Sequence, residues 1–184
     1  MFCIDLTLPF HPLQSNAQLE KRHSRLDLVT QVNPALTEWV TTLGLEIQVF
    51  ETFYCHPNKT GGVHTDANGG DITKINWIVC DGDSVMNWYA VKPNVVKIPT
   101  PNTLNTLYTQ YSSNEIELIH SQQVNFPSIV QAGVPHDITN GDKDRWCLSL
   151  VLAKNGKRIK MAEALEIFKP YLVRPTGIEP IFTV

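Results

Sequence analysis

From Leu45 to Ala153 the chain is punctuated about every ten residues by glycine, asparagine, aspartate or proline, and the runs between those breaks suit strands better than helices. Leu45, Ile47 and Val49 alternate with Glu46, Gln48 and Phe50, and Phe53-Tyr54 carries the run to a turn at His56-Pro57-Asn58. After the turn Asn68-Gly69-Gly70-Asp71, the stretch Ile72–Val79 puts Ile75, Trp77 and Val79 on one face and Lys74, Asn76 and Ile78 on the other. Asp81-Gly82-Asp83 leads into Ser84–Val91, which carries Trp88 and Tyr89. Further strands are expected at Ile116–Ile119, Ser128–Val134 and Arg145–Ala153, and Asn155-Gly156 ends the β region. Residues 92–114, rich in Pro, Asn and Thr, read as an excursion with room for one short strand and as a candidate substrate-covering loop. About eight short strands with such turns predict a mainly β sandwich or barrel, whose open mouth is a natural place for a metal and a small ligand.

The two ends differ from this middle. Apolar residues alternate from Phe2 to Phe10, predicting an N-terminal strand broken by Pro9 and Pro12, and residues 17–32 are mixed. Residues 33–44 predict a helix: Asn33 suits the N-cap, Pro34 the first turn and Gly44 the position past the C-cap. Leu36, Trp39, Val40 and Leu43 give it one apolar face, suited to packing on a sheet. Residues 160–168 predict a short helix that stops before Pro170, and Pro175 and Pro180 make the tail to Val184 a surface strap. Without internal repeats or a long linker, residues 1–184 are expected to form one domain. Residues 1–44 would supply a strand and supporting helix, 45–153 the β core, and 154–184 a helix and strap.

Composition narrows the function classes. A 42% apolar, 18% charged chain of 184 residues fits a globular protein with a real core. A formal net charge of −3 offers no overall basic field for nucleic acid. No run of 18 apolar residues exists to span a membrane, and the start Met1-Phe2-Cys3-Ile4-Asp5 lacks the order of a signal peptide. The cysteines at 3, 55, 80 and 147 form no Cys-x-x-Cys pair, so reduced thiols in a cytoplasmic protein are the expectation.

Chemistry concentrates at His64-Thr65-Asp66. On a strand, residues two apart share a face about 7 Å apart, which sets an imidazole beside a carboxylate. A His-x-Asp triplet arises by chance in roughly one such chain in three, so it acquires meaning only from context. The stretch Val134-Pro135-His136 can supply the second imidazole of a 2-His-1-carboxylate facial triad. His136 is followed by Asn140-Gly141, a strong signal for a two-residue hairpin. With those two residues as the loop, His136 would face Arg145 on one side of one sheet. A metal held by two neutral histidines and Asp66 would carry a net charge of about +1 and leave positions open. A dianionic 2-oxo diacid could fill two of them, and its far carboxylate would then suit the fork of Arg145. His56 and His120 read as structural or surface residues, Trp77 and Trp88 as core, and Asp137 as facing away from His136.

The ordered set His64-Thr65-Asp66, Lys74-Ile75-Asn76-Trp77-Ile78, Trp88-Tyr89, Val134-Pro135-His136, Asn140 and Arg145-Trp146-Cys147-Leu148-Ser149 resembles the 2-oxoglutarate and Fe(II)-dependent oxygenases, in particular their short phage and bacterial members. The resemblance covers about residues 45–153. It implies a double-stranded β-helix, the cupin-like jelly roll, with flanking helices. It implies His64, Asp66 and His136 as catalytic metal ligands and Arg145 as the residue binding the distal carboxylate of 2-oxoglutarate. Asn76 and Tyr54 are further co-substrate candidates. It also implies Fe(II), 2-oxoglutarate and dioxygen as cofactor and co-substrates, with ascorbate in support, and hydroxylation of a C–H bond with release of succinate and carbon dioxide. Families with an Arg-x-Ser pair carry Ser where this chain has Cys147, although Ser149 keeps the strand parity of Arg145. The substrate, a small molecule or a peptide, and the oligomeric state are not legible. Two other readings are a non-catalytic jelly-roll binding or structural module, and a cupin-like enzyme using another metal. The absence of a His-x-His pair counts against the latter.

Overall fold

The computed structural model describes residues 1–66, 70–79, 83–124 and 126–173. In chain order the strands are β1 (Cys3–Asp5), β2 (Ser24–Arg25), β3 (Glu46–Cys55), β4 (His64–Asp66), β5 (Thr73–Val79), β6 (Ser84–Val91), β7 (Thr100–Pro101), β8 (Leu107–Gln110), β9 (Ile116–Gln123), β10 (Ser128–Gln131), β11 (His136–Asn140), β12 (Arg145–Lys154) and β13 (Lys157–Arg158). Helices α1 (Pro34–Thr42) and α2 (Met161–Ile167) flank them. Among the described residues, one antiparallel sheet runs β1-β10-β5-β12-β3-β2, with β13 beside β12, and a second runs β7-β8-β4-β11-β6-β9. The two sheets make a jelly roll, the mainly β fold expected. No helix among the described residues is long and apolar enough to cross a membrane.

Strand alternation gives the first sheet two different faces. On β12, Leu148, Leu150 and Leu152 point to one side, where they join Ile75, Trp77, Ile129 and Phe50 in the main apolar core. Helices α1 and α2 close that core with Leu36, Trp39, Val40, Met161, Ala164 and Phe168. Fully burying side chains of this kind contributes about 1.5–3 kcal/mol each, so the helix-covered side holds most of the fold's apolar stabilisation. The alternate residues Arg145, Cys147 and Ser149 face the other sheet. A smaller cluster of Cys3, Met86, Trp88, Val124 and Val130 fills part of that inter-sheet space. The larger core thus frees the interior of the sandwich for polar groups.

Helix α1 follows from its caps. Asn33 accepts from the Ala35 N–H, Pro34 opens the first turn, and Gly44 takes φ +68°, a left-handed conformation that glycine adopts without strain. Helix α2 has no side-chain cap on its own N-cap residue; Asp71 supplies a carboxylate to the Met161 N–H instead. The N-terminal strand is shorter than expected, Cys3–Asp5, with Leu6 bridging to Leu172. The tail beyond Val173, and the turns at residues 67–69 and 80–82, lie outside the described residues.

The expected hairpin at Asn140-Gly141 does not form. Strand β11 pairs with β4 and β6, whereas β12 pairs with β3 and β5 in the other sheet. A two-residue type I′ turn needs positive φ at both central residues, and neither Asn140 nor Gly141 is among the positive-φ residues. The Asn140 carboxamide instead donates to the carbonyls of Cys55, His56 and Lys143, anchoring a crossover between sheets. Gly141 is required there for another reason: a Cβ would lie 2.3 Å from the Asp83 carbonyl oxygen. His136 and Arg145 therefore approach one another from opposite sheets. The Asn-Gly hairpin is realised at Asn155-Gly156, with φ +51° and +71°, joining β12 to β13.

Candidate metal centre

The short strand β4 is held between β8 and β11. His64 lies directly opposite His136, so the register itself places two imidazoles side by side, with ring centroids 4.6 Å apart. Asp66, two residues on, shares the face of His64. One ligand atom from each of His64, Asp66 and His136 lies within 4.8 Å of the others. Two donors about 2.1 Å from one ion stand at most about 4.2 Å apart, so the set is close to the span of a coordinated metal.

The surroundings of the three residues fit such an ion. Each imidazole has its Nδ1 at a backbone carbonyl: His64 at Gly62 O (2.9 Å) and His136 at Val134 O (2.8 Å). Nδ1–H donates in both, which leaves each Nε2 lone pair free to coordinate. Burial, aided by neighbouring His64, pushes His136 down to about 4, so it is neutral at pH 7. Burial raises the Asp66 carboxyl, but the Lys74 ammonium and the two histidines more than offset that and hold it well below the usual carboxylate range. The donor set is thus two imidazole Nε2 atoms and one carboxylate, suited to iron(II) or a similar divalent ion.

Lys74 was not singled out by the sequence. It sits on β5 in the other sheet, and its Nζ lies 2.9 Å from Asp66 Oδ2, while Asp66 Oδ1 is 3.8 Å from His64 Nε2. One carboxylate oxygen is engaged across the sandwich and the other is left for a metal. The signal was a lysine on a strand buried on both faces, where a cation persists only with a partner. Replacing it by methionine keeps most of the volume and frees Asp66 to rotate. Lys74→Met is expected to lower affinity for Mn(II) by about 10–100-fold, the usual cost of losing a residue that orients a ligand, as measured by calorimetry.

Beside the triad is a cavity of about 180 Å³ with apolar walls that include Phe53, Met86, Val130 and Ile138. Arg145, Asn76 and Ser149 enter it from the first sheet. Arg145 is 3% exposed, donates its Nε to Ser84 Oγ at 3.1 Å, and has no carboxylate partner among the described residues. Asn76 is buried with its Oδ1 unpartnered, and Ser149 lies directly opposite it. Cys147, in the place of the Ser of an Arg-x-Ser pair, also lines the cavity; burial raises its thiol, which stays protonated. Tyr54 borders the same cavity, but it pairs with Trp146, one residue out of phase with the inward Phe53 and Cys55. Its hydroxyl donates to Asp144 and contacts His56, so the structure does not bring that group to the triad.

The remaining expectations sort simply. His120 packs against the Phe2 and Trp88 rings, away from the triad. Asp137 faces the opposite side of β11 from His136 and accepts from Asn87 and Tyr89. The 92–114 excursion carries two short strands rather than one. The second, β8, pairs along the strand that carries His64 and Asp66, with Tyr108 opposite Asp66 and Gln110 opposite His64.

No protein-family model matches this chain. No curated protein matches it either. Solved structures similar to it at 14% identity include vicilin from hazelnut, Corylus avellana, covering 77% of this chain and 31% of that one with a TM-score of 0.33. Oxalate oxidase in complex with the substrate analogue glycolate is similar over 85% of this chain and 63% of its own length, with a TM-score of 0.36. CapF with the inhibitor 3-isopropenyl-tropolone is similar over 79% and 31%, with a TM-score of 0.33. This chain spans less than two thirds of each. Likeness at that level carries no chemistry across, and the site is read from its own residues.

Proposed function

We propose that the protein is a 2-oxoglutarate- and Fe(II)-dependent dioxygenase that hydroxylates a C–H bond of a small substrate. The observation that carries this reading is the buried Arg145 guanidinium, without a carboxylate partner among the described residues, in the cavity that the His64/Asp66/His136 cluster lines. An uncompensated buried cation is costly, and the cavity becomes electrostatically complete when an anion enters. A dicarboxylate with a 2-oxo group suits both ends: its oxo-acid end a metal, its far carboxylate the fork of Arg145. Three protein ligands leave room for that and for dioxygen.

Bound iron would supply the oxidative decarboxylation of 2-oxoglutarate to succinate and carbon dioxide, coupled to substrate oxidation. The chain's own residues do the positioning. Val134 and Gly62 carbonyls fix the imidazole tautomers, Lys74 fixes the Asp66 carboxylate, and Ser84 orients Arg145. Phe53, Met86, Val130 and Ile138 keep water from the cavity. The test is release of succinate from 2-oxoglutarate by purified protein with Fe(II), ascorbate and air. The reading expects iron-dependent succinate that is absent in nitrogen; no succinate with iron demonstrably bound would refute it.

A further inference from the structure

Asp66 and Lys74 line a second cavity of about 330 Å³ as well as the first, so their ion pair stands as a wall between the two. The second cavity continues the inter-sheet space along β3 and β12, from Phe53 and Ser149 to Glu51, Val49 and Val151, and the β7–β8 hairpin borders it with Leu107. It lies away from Arg145 and adjoins the His64/Asp66/His136 cluster through Asp66. Nothing in the oxygenase reading has yet used it.

Its charged groups are unusual. Glu51 is 3% exposed, and its Oε1 has no hydrogen-bond partner among the described residues. The nearest basic side chains are too far to donate well: Arg25 Nε at 3.7 Å from Oε1 and His23 Nε2 at 3.7 Å from Oε2. Burial opposes charge on Glu51, but His23, Lys74 and Arg25 together hold its carboxyl below the usual range, so it is an anion at neutral pH. Lys74 is already engaged by Asp66. At the solvent edge stand two guanidiniums, Arg25, which also donates to the Leu104 carbonyl, and Arg158, which donates its Nε to Gln48. The walls between are aliphatic: Val49, Val151 and Leu107.

We infer that this second cavity binds a free α-amino acid with an aliphatic side chain. A buried carboxylate oxygen lacking a donor calls for an ammonium group. The two guanidiniums at the edge suit a carboxylate, and Val49, Val151 and Leu107 suit a branched hydrocarbon chain. A simple carboxylate would leave Glu51 unpaired, and a simple amine would leave the two arginines unused, so both ends of a zwitterion are read. The binding chemistry of the cavity stands apart from the oxygenase reading.

The experiment is calorimetric titration of leucine into the protein, metal-free and loaded with Mn(II) and 2-oxoglutarate, alongside 4-methylpentanoic acid and 3-methylbutylamine, which lack one charged end each. Leucine is expected to bind at least about 30-fold more tightly than either analogue, since each loses a charge-assisted pair. Glu51→Gln and, at an exposed position, Arg158→Gln are each expected to weaken leucine by at least tenfold, with melting curves confirming that both fold. No binding of leucine to the wild type, equal binding of the analogues, or leucine affinity unchanged in both variants overturns the inference. Binding of 2-oxoglutarate to the same wild-type preparation is measured separately. Its absence beside intact leucine binding removes the oxygenase reading and leaves the zwitterion site standing.

Discussion

Arg145→Met is expected to bind 2-oxoglutarate about 100-fold or more weakly than the wild type while holding Mn(II) with unchanged affinity. The size follows from the setting: truncating one partner of a buried, hydrogen-bonded charge pair costs about 2–5 kcal/mol, and each 1.4 kcal/mol is tenfold. The direction of the effect on stability is the sharper test. Arg145 is buried, with its Nε donating to Ser84, so the folded protein carries the cost of desolvating that charge. Methionine fills similar volume without the charge, so the metal-free variant should melt at the same temperature as the wild type or higher. A guanidinium serving only to hold the sheets together would show the reverse: a lower melting temperature and intact 2-oxoglutarate binding. Calorimetry and thermal melting on one preparation distinguish the two.

The second large effect concerns His136. His136→Ala should lower Mn(II) affinity by at least about 100-fold, because it removes one of three ligands rather than a residue that merely orients one. Metal-dependent binding of 2-oxoglutarate should disappear with it. His120→Ala is the control, since that ring packs on Phe2 and Trp88 and takes no part in the cluster. It should leave metal affinity within about twofold, as expected for a distant, independent site. The comparison separates the residue opposite His64 in the β4–β11 register from a histidine that only fills space.

What could be read in advance was local. The caps at Asn33 and Gly44 and the apolar spacing of Leu36, Trp39 and Val40 each act within one turn, and α1 formed within the expected bounds. Strand parity is equally local, so the shared face of Arg145 and Ser149, and of Lys74 and Asn76, could be stated before any partner strand was known, though not which way that face points. Partner choice is not local. Nothing near His64 says that its strand lies against His136, 72 positions away, rather than elsewhere. His136 and Arg145 line one cavity, but they enter it from opposite sheets rather than across the expected hairpin.

The two Asn-Gly pairs show why. At Asn155-Gly156 both residues take positive φ in a tight hairpin. At Asn140-Gly141 three carbonyls from the crossover claim the Asn140 amide, and the Asp83 backbone presses against Gly141. The same dipeptide therefore serves opposite ends, and only tertiary context chooses between them. Lys74 and Glu51 went unnoticed for a related reason. A charged residue on a strand reads as solvent-facing until the second sheet arrives to cover it.

The most direct measurement is a calorimetric titration of 2-oxoglutarate into the protein with and without Mn(II). The triad and Arg145 acting together predict saturable one-to-one binding that requires the metal and vanishes when either His64 or Asp66 is replaced by alanine. Binding that is indifferent to the metal, or no binding to protein shown to hold Mn(II), would contradict it.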